Sequence, residues 1–291
     1  MKKAFINHKI IKNYIIQNLW LIIFFTIIFL IMNIVVIFIN TLNKGKQGLS
    51  FFNNQEYQKN NLQWTSVLGY GNYLSEIFSA SVILFSIFNL ILINKIIVKE
   101  IVKGHILLLI ATSNSRIKII LSKIVFLIFT SLIMFSPSFA MTIIYSIIDL
   151  SDNKLYIGRL ITYQLSFITF MIFLILIFTF ICQILIEVNY LGLILNILLL
   201  AYILTMDYIV DEKVFQASFF KYISPTSLCP KVLKFNDVTL NLKPKKGEIS
   251  FGTLIIDNLG FSIASIFINL FLSILFMWQI IYNFSKKDLN I

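Results

Sequence analysis

Charge is what this chain has least of. Only 13% of its 291 residues are Asp, Glu, Lys or Arg, while 58% are hydrophobic. A soluble domain of that length needs a far more charged surface, so the composition argues for a bilayer as solvent. Cysteine is scarcer still. Cys182 sits inside an apolar run and Cys229 in a long polar stretch, so the two are not expected to meet. No disulfide framework or metal-ligand spacing follows from them. The only histidines, His8 and His105, lie far apart. No helical pair of His, or of Glu and His, is present to hold a metal. No Gly-rich loop runs into Lys-Ser or Lys-Thr, which excludes P-loop ATP binding by this chain. No Gly-x-Ser-x-Gly elbow is present either. With these clusters missing, the chain is expected not to be an enzyme and to carry no cofactor of its own.

What is present fits a membrane. There are 29 Phe residues, and the mean hydropathy is +0.89. The net charge of +11 would suggest nucleic acid on a soluble protein. Here the basic residues stand between apolar runs, so the topology rule for membrane proteins explains them and no nucleic-acid partner is expected. The first apolar stretch is longer than a signal-peptide core, and no small-residue cleavage site follows it. It reads as a retained first span.

Charge-free intervals map the crossings. Lys, Arg, Asp and Glu are absent from 13–43, 77–94, 124–148, 160–186, 188–206 and 258–285. A hydrocarbon core needs about 20 residues of helix. The run 160–206 is interrupted only by Glu187 and is long enough for two spans, so Glu187-Val188-Asn189-Tyr190 reads as a tight turn. The expected fold is an all-α polytopic membrane protein forming one domain over 1–291. Its six transmembrane helices fall at about 19–40, 76–97, 120–148, 160–185, 190–209 and 259–284. Pro137 inside the third should kink it. With the amino terminus inside, twelve Lys and Arg fall on the inner segments and five on the first two outer ones. Both termini are therefore expected in the cytoplasm. Outer loops then cover 41–75 and 210–258, the latter with Pro225, Pro230 and Pro244. Segment 4–18 places Ile6, Ile10 and Tyr14 on one face and His8, Lys9 and Lys12 on another. It reads either as a helix lying on the inner membrane surface or as the basic flank of span one.

Ionisable residues are nearly missing at membrane depth, which argues against an ion-coupled carrier. Asn33, Asn89, Gln164, Gln183, Asn196, Asn269 and Gln279 are the polar residues there. Hydrogen bonds between helices account for them better than substrate contact does. Any energy source must then lie outside the chain, and the inner loop 98–119 is the place to seek it. In Lys95–Lys123, the polar Lys99, Glu100 and Lys103 precede the apolar run Ile106–Ile110, and Ser113-Asn114-Ser115 breaks that run. Ser115 is a good N-cap for the third span. A short helix with one apolar face suits docking on a cytoplasmic partner; an ordinary inner loop resting on headgroups is the plainer alternative.

Glu100-x-x-x-Gly104-x-x-x-Leu108-Leu109-x-Ala111-Thr112-x-x-Ser115-Arg116, followed by Lys123, resembles the signature between the second and third spans of ABC-2-type transporter permeases. Ser113 stands where the family commonly has Pro. Tyr222-Ile223-Ser224-Pro225 resembles the Ser-Pro motif of the family's outer loop. Phe284-Ser285-Lys286-Lys287-Asp288-Leu289 resembles its carboxy-terminal ending. The resemblance implies the type V exporter-like fold and a permease subunit of an efflux transporter in the plasma membrane, in a bacterium. It also implies a second permease chain, in a homodimer or heterodimer, and two cytoplasmic ATPase subunits that carry ATP and Mg. Lys99, Glu100, Lys103, Gly104, Leu108, Ala111, Thr112, Ser115 and Arg116 would then couple to the ATPase. The substrate is not legible. The rival readings are an ion-coupled secondary carrier and a non-transporting membrane protein such as an immunity factor or scaffold.

Overall fold

A computed structural model of the chain describes residues 6–47, 80–111, 115–149, 154–186, 190–211 and 259–286, and every regular element among them is helical. The elements are α1 (His8–Gln47), α2 (Ala80–Val102), α3 (His105–Ala111), α4 (Arg116–Asp149), α5 (Lys154–Ile184), α6 (Leu191–Asp211) and α7 (Leu259–Lys286). Five stretches are long and apolar enough to cross a membrane: His8–Val35, Ala80–Val102, Arg116–Met141, Gln164–Ile184 and Ile263–Lys286. Helix α6 has 21 residues, of which Leu191–Thr205 forms a shorter apolar stretch. This is the architecture of a polytopic membrane protein. Most of 41–75 and 210–258, the segments expected to be outer loops, lies outside the described residues, including Cys229 and the Ser224-Pro225 motif.

Helix α1 settles how the amphipathic start is used. It runs as one helix of 40 residues, so segment 8–18 continues directly into the first span. Asn7 caps it, its Oδ1 accepting the Lys9 amide at 3.0 Å. Ile10, Tyr14, Asn18, Ile22, Phe25, Phe29 and Asn33 are all buried, at spacings of three and four that keep them on one stripe. His8, Lys9 and Lys12 stay exposed.

Side-chain pairs fix the relative directions of the helices. Phe25 meets Phe88 and Phe29 meets Phe85, so α1 and α2 are antiparallel. Tyr14 meets Phe126 and Phe29 meets Phe135, so α1 and α4 run in the same direction. Asn196 donates to the Phe178 carbonyl at 3.0 Å, while Gly192 abuts Cys182; α5 and α6 are antiparallel. Ser166 bonds Ser265 at 2.9 Å and Gln183 donates to the Ile280 carbonyl at 2.9 Å, so α5 and α7 are parallel. Asp149 ends α4 and Lys154 starts α5. So short a link reaches about 18 Å at most, too little to recross a hydrocarbon core. Helix α5 therefore reverses α4, and direction alternates through α1, α2, α4, α5, α6 and α7.

Four of these helices meet at aromatic rings. Phe135 of α4 contacts Phe29, Phe85 and Phe167, one each from α1, α2 and α5, with the Phe167 ring stacked at 5.5 Å. Offset and edge contacts of this kind suit the ring quadrupoles. Amide–hydroxyl pairs lock the register around them. Ser131 donates to Asn89 at 2.9 Å, and Ser138 donates to Asn33 at 2.8 Å. Each Asn returns its own amide hydrogen to the carbonyl four residues back, Phe85 or Phe29. Such bonds are worth about 0.6 kcal/mol each in membrane bundles.

Helix α4 passes through Pro137 without a break. The missing proline N–H would have met the Ile133 carbonyl. Ser136 Oγ donates to that carbonyl instead, at 2.9 Å. Hydroxyl repair of a freed backbone group is how transmembrane helices tolerate proline.

The α5–α6 hairpin depends on Gly192. A Cβ there would stand 2.9 Å from the Cys182 Cα and 3.4 Å from the Ile181 oxygen. Both are backbone atoms, which cannot swing aside. Gly192→Ala is predicted to force the helices apart and to destabilise the protein by about 1–3 kcal/mol, read as earlier thermal unfolding in detergent. An unchanged transition would show that the approach is looser than described.

Candidate functional site

The site grows from a weak point at the end of α2. Residues Asn94–Val98 form a π turn, in which the Lys99 amide bonds the Asn94 oxygen five residues back. Such turns are rare and concentrate at functional sites. One further helical turn, Lys99–Val102, follows. Gly104 then ends it at φ 70°, a left-handed conformation that glycine adopts without a Cβ penalty. The Lys103 and Gly104 amides bond the Lys99 and Ile101 carbonyls at 3.0 Å each. Helix α3 departs from this corner. At its far side Ser115 caps α4, its Oγ accepting the Lys118 amide at 3.3 Å, as the sequence anticipates.

Behind the corner is a buried ion pair. Lys123, on the first turns of α4, is wholly inaccessible. Its Nζ donates to Glu100 Oε2 at 2.8 Å and to the Ile96 carbonyl of the π turn at 2.7 Å. Tyr14 of α1 donates its hydroxyl to the same Glu100 oxygen at 2.7 Å. One carboxylate oxygen therefore joins three helices. A buried cation without such partners would be costly, and hydrogen bonds to charged groups are the strong ones. Ser122 beside it accepts the Asn7 amide at 2.9 Å, and Lys95 reaches the Gln17 carbonyl at 3.4 Å. Two further bonds thus seat the first turns of α1 on this corner.

The sequence-derived residues fall into distinct places. Glu100 turns inward and is 19% exposed. Lys99 and Lys103 are exposed on the corner, and Gly104 makes its turn. Leu108 and Ala111 lie on α3, with Ala111 exposed at its end. Ser115 is the cap and Arg116 the first residue of α4. Thr112 lies outside the described residues, as do Lys287, Asp288 and Leu289 of the carboxy-terminal motif. Phe284 of that motif is fully buried.

Two members of the site exceed the sequence reading. Tyr14 looked like part of an apolar stripe, and nothing nearby in sequence indicates that its hydroxyl meets Glu100. Lys123 closes the sequence signature as its downstream lysine and counts among the inner cations; that it is fully buried and pairs with Glu100 is what the fold adds.

The same end of the bundle carries Lys9, Lys12, Lys95, Lys99, Lys103, Arg116, Lys118 and Lys286, with Glu100 as the acid among the described residues. The opposite helix ends mix Lys44, Lys46, Lys154 and Arg159 with Asp149, Asp207 and Asp211. On the basic end Lys286 lies 4.4 Å above the Tyr282 ring, and Trp278 packs on that Tyr. Aromatics with flanking cations are how a helix marks the headgroup level. An open apolar groove of about 460 Å³ lies between α5 and α6, lined by Ile181, Leu195, Leu198 and Tyr202 among others, and it offers apolar contact alone. Among the described residues no cluster suited to a metal is present. In comparisons with known proteins, no family model, no curated protein and no solved structure matches this chain.

The geometry predicts a labelling pattern. In a Cys229→Ser background, Lys99→Cys and Lys103→Cys should react with a hydrophilic maleimide in native membranes opened at the basic face. Lys123→Cys should react at least tenfold more slowly, and the buried Cys182 should stay silent. Equal reactivity at 99, 103 and 123 would contradict the placement.

Proposed function

We propose that this chain is the permease subunit of an ATP-binding-cassette exporter, crossing the membrane six times with its basic end and both termini in the cytoplasm. The observation that carries the reading is the corner itself: a short helix, α3, presented at the basic end between a left-handed glycine turn and a capped helix start. It is anchored through Glu100 to Lys123 in the bundle core. An independent loop resting on headgroups has no need of an inward ion pair. A helix that must pass force from a cytoplasmic motor into the spans does.

The alternation of helix directions supports an even number of crossings, with α6 as the fifth. The bias of Lys and Arg to one end supports the orientation. On this reading Lys99, Lys103, Ala111 and Arg116 face the ATPase, and the sequence resemblance adds Leu108 and Thr112 to the coupling set. Glu100, Gly104 and Ser115 hold the helix in place. ATP and Mg bind to the partner ATPase, present in two copies beside a second permease chain.

One observation favours a second reading. A buried Lys–Glu pair within membrane-spanning helices is also what a proton-coupled carrier uses. The pair lies at the basic end of the bundle, and the polar groups farther in, Asn33 and Asn89, are engaged with neighbouring helices. The ABC reading is therefore preferred. A non-transporting scaffold would have no use for the corner.

The test is copurification. Full-length tagged chain, extracted in mild detergent from its native host, should bring down an ATPase with Walker motifs in roughly one-to-one ratio. The double variant Glu100→Arg with Gly104→Trp should lose it by at least tenfold while still reaching the membrane. Recovery without any ATPase, or unchanged recovery with the variant, would overturn the reading. Gradient-driven uptake without ATP would favour the carrier.

A further inference from the structure

We propose that the Glu100 carboxylate is a mechanical junction that makes the first turns of α1 move together with the α2–α3 corner, with the Tyr14 hydroxyl as the linking contact. The sequence signature concerns only the second and third spans. The structure adds the first. Tyr14 of α1 and Lys123 of α4 share the same carboxylate oxygen at 2.7 and 2.8 Å. Tyr14 is itself buried and has Phe126 of α4 against its ring at 5.6 Å, so it has no room to follow a different path.

The corner is built to shift as one piece. The π turn Asn94–Val98 separates Lys99–Val102 from the regular part of α2, and Gly104 separates it from α3. Such irregular turns are where helices bend. Glu100 sits on the single helical turn between those two weak points. Lys123 has no path to solvent, and its second bond, to the Ile96 carbonyl, closes the π turn from behind. A displacement of α3 therefore rotates the turn that carries Glu100. The displacement then reaches α4 through Lys123 and α1 through Tyr14. Lys9 and Lys12 lie on the exposed side of that same end of α1. The docking surface on this reading is wider than the loop: it includes the amino-terminal turns, and they respond when the loop is pushed.

The proposal rests on the docking reading for its purpose, but its test needs no partner, so the two fail separately. Amide hydrogen exchange would be measured on the full chain in lipid nanodiscs. Gly104→Ala strains the left-handed turn and so displaces α3 from within. It is expected to raise exchange at 8–18 by about tenfold, although that segment is remote in sequence. In a Tyr14→Phe background, which removes only the hydroxyl, Gly104→Ala is expected to add less than twofold at 8–18 while still loosening 94–103. Gly104→Asn, which tolerates the left-handed region, should behave as the natural protein does. Exchange in 164–184 and 263–286 should stay constant in every variant, which shows that the bundle remains folded. An undiminished Gly104→Ala effect at 8–18 without the Tyr14 hydroxyl would overturn the junction. So would no effect at 8–18 at all, or a uniform rise across all helices.

Discussion

One buried ammonium organises this protein. Lys123 lies in a bundle almost devoid of charge, and it is satisfied only because Glu100 and the Ile96 carbonyl both come to it. Removing one partner of such a pair costs about 3–5 kcal/mol, because the survivor is left buried and uncompensated. That constraint fixes three things together. It holds α2 against α4, it keeps the π turn in place, and through the shared carboxylate it seats Tyr14 of α1. The glycine corner and α3 hang from this point. The apolar contacts around it carry more area, but lipid tails are as apolar as Leu and Phe, so in a bilayer those contacts select an arrangement weakly. Directional polar contacts select it strongly.

The same logic runs through the rest of the bundle. Ser131–Asn89, Ser138–Asn33, Ser166–Ser265 and Gln183–Ile280 each tie two helices at one register. Gly192 permits the α5–α6 approach that brings Asn196 onto the Phe178 carbonyl and the Cys182 sulfur. The outward faces are different. Trp20, Phe24, Phe267, Phe271 and Trp278 are more than half exposed on α1 and α7, as suits surfaces that meet lipid or another chain.

Much of the fold was legible because a bilayer imposes simple rules. Charge-free runs of sufficient length had to be helices, and Glu187 had to mark a break; α5 ends at Ile184 and α6 begins at Leu191. Ser115 was readable as a cap from its place before an apolar run. Asn33, Asn89, Gln183 and Asn196 were readable as links between helices, and they are. The site was only partly legible. Gly104 and Glu100 stood out by spacing, but spacing does not show which way a side chain faces. Glu100 turns inward because Lys123 is there, and Lys123 is there because α4 packs on α2 in a register that residues far along the chain determine. Tyr14 is 86 positions from Glu100, and such a contact leaves no local trace. The length of α1 was also hidden: the span was expected to start near 19, after an amphipathic segment 4–18, whereas Asn7 caps a single helix that starts at His8.

The most direct test of this account is a double-mutant cycle between positions 100 and 123, read as unfolding free energy of the full chain in mixed micelles. Glu100→Leu alone should cost about 3–5 kcal/mol, since it strands the buried ammonium. Lys123→Met alone should cost less, because Glu100 keeps partial access to water and its bond from Tyr14. The pair together should be milder than Glu100→Leu alone, with a coupling energy of at least about 2 kcal/mol. Simple additivity of the two losses would contradict the claim that this ion pair holds the bundle to its glycine corner.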